Sequence, residues 1–451
     1  MKRISKILKR WFPLFSERKE VVGEFYYPRD NFMVLGGAGS GKQTRIFALR
    51  NTLVLGGAGS GKTASIGKPI MEQFIQHGWA GFIYDYKDYD YTKTAWNLVQ
   101  KHGYPHKFYY VNFTDMNRTY RFNILDKRVI TTEAALLQAL DDFMNAMKPP
   151  DGKKDDWMQA ALGLLKGVAV RFFHFQGEYA RYCTLPHILA FILMASPEEL
   201  TTFLRNDTSA SMMASGFLGS AGSDKTQSSI IFTLNNMLAG IATNKNVCYV
   251  LTGNDFVFDL VDPEDPKLFA VSNNFALESI ISPIIAMLVP IAARKIEFGN
   301  RVKFAFLLDE MTTFKVNNFQ SLPSILYPYS VAFFLLVGSI EKLVRIYGKS
   351  GVAAISASFD CYFLGKTLET VDLNLYESFF KDSNIAIPKS LSPGEFIRVY
   401  QDNPPEKCRL QKIVLDEKPL PVVKLTTSRE IEQNYTQIEM DCERLLRDLE
   451  L

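Results

Sequence analysis

The chain has little that could brace it covalently or carry it through a membrane. Its 451 residues include only five cysteines, Cys183, Cys248, Cys361, Cys408 and Cys442. They are scattered, odd in number and without a CxxC pair. That argues against a disulfide framework and a zinc site, and favours a reducing compartment. No run is long and apolar enough to span a bilayer. The best, Ser279–Ala293, is interrupted by Pro283 and Pro290 and reads as a buried core helix. Charge of one sign is also missing. With 51 basic and 48 acidic residues the net charge is +3, so any DNA contact needs a local basic surface. What remains is an ordinary globular composition, 47% apolar, with chain enough for two or three domains.

The N-terminus departs from that average. MKRISKILKRWFPLFSERK carries seven basic residues and one acid, with Ile4, Ile7, Leu8, Trp11, Phe12 and Phe15 at near-helical spacing. Two readings stay open. One is a short helix lying on an anionic membrane surface; the other is a solvated arm packed on its own domain. The small-residue cleavage site of a secretory signal is absent.

Hydrophobic patterning divides the rest. Residues 31–127 are the first part of a nucleotide-binding domain, and 50–127 alternate strand and helix. NTLVLGG is a buried strand entering a Gly-rich turn, TASIGKPIMEQFIQHG is helical, and AGFIYDYK and KFYYVNF are strands around a second helix. That order predicts a mostly parallel sheet with helices on both faces. Residues 128–246 are almost wholly helical in pattern and predict an inserted helical domain. Strand signals return over 247–425, at KLFAVSNN, VKFAFLLDE, SVAFFLLVG and CYFLGKT, and complete the nucleotide-binding domain. Residues 1–30 form the basic segment and 426–451 an amphipathic helix. In that helix Thr427 and Glu430 have capping-box spacing. Its apolar seam is Ile431, Tyr435, Ile438, Cys442, Leu445 and Leu449, read as packing on its own domain.

The same nine residues, VLGGAGSGK, occur at Val34–Lys42 and at Val54–Lys62. Each resembles the GxxxxGK[ST] phosphate loop, in which glycines let backbone N–H groups turn inward. The lysine reaches the terminal phosphates and the Ser or Thr hydroxyl ligates magnesium. Only the second copy is complete, with Gly56, Gly61, Lys62 and Thr63. The first has Gln43 where the hydroxyl belongs. Spacing agrees, because a parallel crossover needs about a dozen residues and only QTRIFALR follows Lys42. The expected phosphate cradle is therefore Gly56, Gly57, Ala58, Gly59, Ser60, Gly61, Lys62, Thr63 and Ala64. The first copy is expected to be a surface or edge element without ligand.

The other half of an ATP site is a strand ending in an acid, and FAFLLDE supplies it. Asp309 is expected to hold Mg2+ together with Thr63, and Glu310 to activate the attacking water. Asp85 and Lys87, at the end of the strand AGFIYDYK that follows the phosphate loop and its helix, are expected at the edge of the nucleotide site.

Taken together these parts resemble the type IV coupling proteins of bacterial conjugation, the TraG/TraD-like DNA-pumping ATPases. The resemblance covers about residues 50–415. It rests on LVLGGAGSGKTASIGKPI with Pro69, on IYDYK, on a helical insert containing DDWMQAALGLL, on FAFLLDEMTTF, and on IEKLVRIYG after the next strand. It implies an α/β P-loop NTPase, RecA-like, using ATP and Mg2+, assembled as a homo-hexamer on the cytoplasmic face of the inner membrane. Its partners would be single-stranded DNA with a bound relaxase and a type IV secretion channel. The chain departs from the family in three places. No N-terminal transmembrane helix is found. Gly338 and Lys342 stand where the family has glutamines, and LPSILYPYSVAF offers no basic residue to a neighbouring subunit. Ser339 is expected to point away from the phosphates, leaving Arg345 as the nearest basic candidate to reach a neighbour, with a solvated helix charge as its other and favoured reading. These departures predict slow intrinsic hydrolysis, raised on assembly. Two other readings stand beside the motor: a nucleotide-binding adaptor with little turnover, and a P-loop ATPase for protein secretion.

Overall fold

The computed structural model describes residues 32–35, 44–47, 50–148, 156–296, 301–379, 391–400 and 403–448. The strands are β1 Phe32–Leu35, β2 Thr44–Phe47, β3 Thr52–Leu55, β4 Ala80–Asp85, β5 Lys107–Val111 and β6 Lys267–Ser272. They continue with β7 Phe304–Asp309, β8 Val331–Val337, β9 Cys361–Leu364, β10 Glu395–Tyr400 and β11 Asn403–Arg409. Nine of them make one sheet in the order β11-β10-β9-β3-β8-β7-β4-β6-β5. Every pairing from β9 across to β5 is parallel, and β10 and β11 add an antiparallel hairpin at one edge.

The central strands β3, β4, β6, β7 and β8 are buried at every position because both faces are covered. Along β8, Val331, Phe333, Leu335 and Val337 join one core while Ala332, Phe334 and Leu336 join the other. β3 and β7 split the same way, as a period of two requires. One face packs on helix Glu278–Arg294 and the helices between β5 and β6. The other packs on helices Lys68–Gln76 and Asp90–His102. Each large side chain buried this way contributes about 1.5–3 kcal/mol. Phe306 stacks on Phe333 across β7 and β8 at 4.6 Å, which helps fix their register.

Between β5 and β6 the chain is helical, from Glu133 to Leu251. Arg294 forks onto Asp142 at 2.8 and 2.9 Å and so ties helix Glu133–Ala146 to helix Glu278–Arg294. The latter is buried from Ile281 to Ala293 despite Pro283 and Pro290. No helix among the described residues is long and apolar enough to cross a membrane. The five cysteines are buried thiols.

The first copy of the repeated motif does not join the large sheet. β1 runs into β2 as a separate antiparallel pair, Leu35 opposite Thr44. Residues 36–43, the loop itself, lie outside the described residues, as does the basic segment 1–30.

After β11 the chain doubles back across the molecule. Leu410 N–H donates to Gly394, Ile413 N–H to Ala64, and Val423 N–H to Asn117. Helix Ser428–Asp448 then begins with the expected capping box, Glu430 N–H on Thr427 Oγ1 at 3.2 Å and Thr427 N–H on Glu430 Oε2 at 2.7 Å. Its seam residues Ile438, Cys442 and Leu445 are buried against the molecule's own helix Leu185–Met194. Leu449 lies outside the described residues.

Candidate functional site

β3 ends at Leu55 in the middle of the sheet, and the turn that follows is built for close backbone approach. Gly59 and Gly61 have φ of 75° and 97°, where an L side chain is strained. A Cβ on Gly61 would also stand 2.8 Å from the Gly394 nitrogen. Gly56 N–H donates to Val337 and Gly57 N–H to Lys366, which pins the loop to β8 and to the segment after β9. None of the turn and loop bonds among the described residues uses the N–H of Ala58, Gly59 or Gly61. A phosphate group is the natural acceptor for such a nest. Thr63 opens a single π-helical turn, Thr63–Gly67, that leads into helix Lys68–Gln76. Pro69 sits in the first turn of that helix, where its missing N–H costs nothing.

Lys62 folds back over the loop. Its Nζ donates to Gly56 O at 2.5 Å and lies 3.9 Å from Glu310 Oε1. Burial lowers its pKa, against the attraction of Glu310 and Asp309. Glu310 follows β7 with φ 45° and ψ 49°, a left-handed conformation that costs a non-glycine residue free energy and recurs at active sites. Asp309 is 1% exposed, and neither carboxylate oxygen has a hydrogen-bond partner. Burial, reinforced by Glu310, pushes its pKa up to about 7. Ser60 Oγ and Ser65 Oγ are likewise buried without partners. A buried carboxylate lacking donors is costly unless a cation satisfies it. Asp309 ends the strand that packs on the turn opened by Thr63, and its unpartnered carboxylate fits a hard divalent ion.

The geometry follows from strand order. β8 alone separates β3 from β7, so the Gly-rich turn and the acids emerge side by side at one edge of the sheet. There they border a cavity of about 930 Å³ whose walls include Gly57, Ala58, Lys87, Glu310, Gly338, Ser339, Lys342 and Lys366. Lys87 is one of those walls.

Asp85 is not, and this corrects the expectation for it. Its carboxylate is fully buried and accepts from Thr92 N–H at 2.9 Å, Thr92 Oγ1 at 2.8 Å and Lys87 N–H at 3.2 Å. It braces the start of helix Asp90–His102 instead of facing the cavity.

Ser339 caps helix Ile340–Ala357, accepting from Glu341 N–H at 3.1 Å. Arg345 is 74% exposed and pairs with Glu341 one turn away at 2.8 Å, a solvated helix charge within this chain.

Sequence reasoning missed the supports. Thr313 Oγ1 donates to Glu310 O at 2.9 Å and lies 2.7 Å from Tyr84 Oη, tying the acidic turn to β4. Asp372 accepts from Ile340 N–H at 2.6 Å and from Thr367 Oγ1 at 2.8 Å, joining the segments after β8 and β9. Tyr91 is fully buried under the π turn, and its Oη stands 2.1 Å from where a Gly67 Cβ would be. The absent side chain at Gly67 makes room for that hydroxyl. No local pattern marks these residues, because the contacts that join separate elements, Thr313 to Tyr84, Asp372 to Ile340 and Tyr91 to Gly67, are distant in sequence.

A Gly-rich turn between strand and helix, with an acid-tipped strand one position away in a mostly parallel sheet, defines a P-loop NTPase of RecA-like build. The family model for conjugative DNA transfer by the type IV secretory system matches residues 7–364, and the chain belongs to that family. No curated protein matches it by sequence. Among solved structures it is similar to the plasmid coupling protein TrwB. With the non-hydrolysable analogue ADPNP bound, TrwB is 16% identical, with a TM-score of 0.66 over 84% of this chain and 89% of that one. In complex with ADP and Mg2+, TrwB gives a TM-score of 0.64 over 84% and 88%, again at 16% identity. VirB4 of Thermoanaerobacter pseudethanolicus is 12% identical, with a TM-score of 0.52 over 86% and 97%. At these identities the likeness is one of fold.

Proposed function

We propose that the chain is an ATP-driven coupling protein. It delivers single-stranded DNA with its bound relaxase to a type IV secretion channel during conjugation. In this reading it works as a homo-hexamer at the cytoplasmic face of the inner membrane, with residues 1–19 making peripheral membrane contact. Residues 31–127 and 247–425 form the nucleotide-binding domain and 128–246 a helical insert.

The observation that carries the reading is the unpartnered, buried Asp309 carboxylate beside Lys62 and Glu310, at the mouth of a Gly-rich turn. The turn Gly56–Ala64 cradles the phosphates of ATP, with Lys62 on the terminal ones. Thr63 and Asp309 hold Mg2+, which neutralises charge on the β- and γ-phosphates. Glu310, held by its left-handed backbone at the cavity wall, takes a proton from the attacking water. Lys87 reaches the same cavity from the end of β4.

One feature favours a second reading, a nucleotide-binding adaptor with little turnover. β8 ends at Val337, and Gly338, next in the chain, offers no side chain to the γ-phosphate. Steady hydrolysis by the full chain, measured with and without single-stranded DNA, separates the two. A motor gives DNA-stimulated turnover that Glu310→Gln stops while ATP stays bound. ATP binding with no DNA-stimulated turnover at any protein concentration leaves the adaptor.

A further inference from the structure

The glycine that follows β8 leaves a gap, and the gap is bridged from the side. A Cβ at Gly338 would stand 3.4 Å from Glu310 Oε2 and 3.9 Å from Lys342 Nζ. The acid and the lysine thus converge on the space that a side chain at 338 would occupy. Lys342 sits in the first turn of helix Ile340–Ala357, and Ser339 and Asp372 fix that turn. Its ammonium shares the cavity wall with Gly57, Ala58 and Glu310. Lys62, on the phosphate loop, lies 3.9 Å from the same Glu310 carboxylate, so that acid stands between two lysines. Lys87, Lys342 and Lys366 line the same cavity as Glu310, so a phosphate chain seated there meets donors from the ends of three strands. Arg345, the other basic residue of this turn, is committed to Glu341.

We propose that Lys342 is a catalytic residue acting within its own subunit, as the cation that stabilises the γ-phosphoryl group as it is transferred. This rests on the reading of the site as an ATPase. In the step, the water oxygen bonds to the γ-phosphorus and Glu310 takes the proton. The bond to the β,γ-bridging oxygen breaks and its electron pair leaves with ADP. Lys342 donates to a non-bridging γ-oxygen, whose charge grows in the transition state, and is itself unchanged. Because the stabilisation appears in the transition state, its loss lowers turnover more than ground-state binding.

The test uses the full-length chain with single-stranded DNA. Turnover is measured together with affinity for ADPNP and for ADP–aluminium fluoride–Mg2+, a mimic of the transferring phosphoryl group. Lys342→Ala should lower kcat on the order of a hundredfold and weaken the fluoride complex by a similar factor. Affinity for ADPNP should change by less than about threefold, and Lys342→Arg should keep most of both. Gly338→Val, which wedges methyl groups between Glu310 and Lys342, should give the same selective loss. If Lys342→Ala leaves affinity for the fluoride complex intact, or weakens ADPNP and the mimic equally, the inference fails while the ATPase reading stands. If the unmodified chain binds neither ligand, the ATPase reading fails and the inference with it.

Discussion

Asp309 should make the nucleotide-free protein less stable than its own asparagine variant. Its carboxyl titrates at about 7 against an ordinary 3.8, because it is buried without a donor and lies beside Glu310. The folded pKa lies above the unfolded one. The stability this group contributes is therefore fully present below about pH 4 and is lost as pH rises through 7. Ionised at pH 8, the carboxylate costs the fold about 4 kcal/mol, at 1.36 kcal/mol per pH unit between the two values. Asp309→Asn removes the charge and keeps the shape. In the absence of nucleotide and Mg2+, it should raise stability by about 4 kcal/mol at pH 8 and by only about 1.5 kcal/mol at pH 5. For a chain of this size the melting temperature moves roughly 1 °C per kcal/mol, so the advantage should shrink by about 3 °C between those pH values. Differential scanning fluorimetry from pH 5 to 8.5, with urea denaturation as a check, measures it. Addition of ATP and Mg2+ should reverse the ranking, since only the wild type gains stability from the ion. An Asp309→Asn advantage that is the same at both pH values, or a variant less stable than wild type at pH 8, would refute the reasoning.

Lys62→Ala should abolish binding of a fluorescent ATP analogue, while Lys42→Ala should leave it nearly intact; equal losses would mean that both copies of VLGGAGSGK bind phosphate. Gly67→Ala should destabilise by about 1–3 kcal/mol, since its Cβ would collide with the Tyr91 hydroxyl, and Tyr91→Phe in the same chain should recover part of that loss. No recovery would show that the cost arises elsewhere in the π turn. Removing residues 1–19 should abolish binding to vesicles containing anionic lipid, and salt should weaken the binding of the intact chain. Salt-independent retention after the deletion would count against a surface helix.

The sequence made the centre of the sheet legible. β3, β4 and β7 are short apolar runs that end in punctuating residues, a Gly-rich turn, Asp85 and Asp309–Glu310, and the structure brings two of those ends together. The C-terminal capping box and its seam were also readable, because i,i+3 and i,i+4 patterns are local. What escaped was decided by distant partners. β11 begins Asn403, Pro404, Pro405, which reads as a turn; prolines are tolerated there because β11 is an edge strand. Asp85 looked like a ligand at a strand end. Only the fold shows Thr92 turned onto its carboxylate. The approach of Lys342 to Glu310 depends on a helix cap held by Asp372, and no spacing rule contains that.

The return of the chain after β11 has a mechanical consequence. One of its backbone donors, Ile413 N–H, ends on the Ala64 carbonyl of the phosphate loop, and Leu410 at its start donates to Gly394, whose own N–H ends on the Ser60 carbonyl. The Ser60 carbonyl shares one rigid peptide plane with Gly61 N–H, and the Ala64 carbonyl with Ser65 N–H, so turning either N–H toward a ligand swings the carbonyl on the other side of that plane. That swing pulls on a segment anchored farther along at Asn117, which then enters the helix seated on Leu185–Met194. The C-terminal stretch is a tie rod. One end is bolted to the loop and the other to the helical layer, and it shortens the path between them to a few covalent spans. Cutting the rod between Ile413 and Val423 would leave both ends seated and sever the linkage.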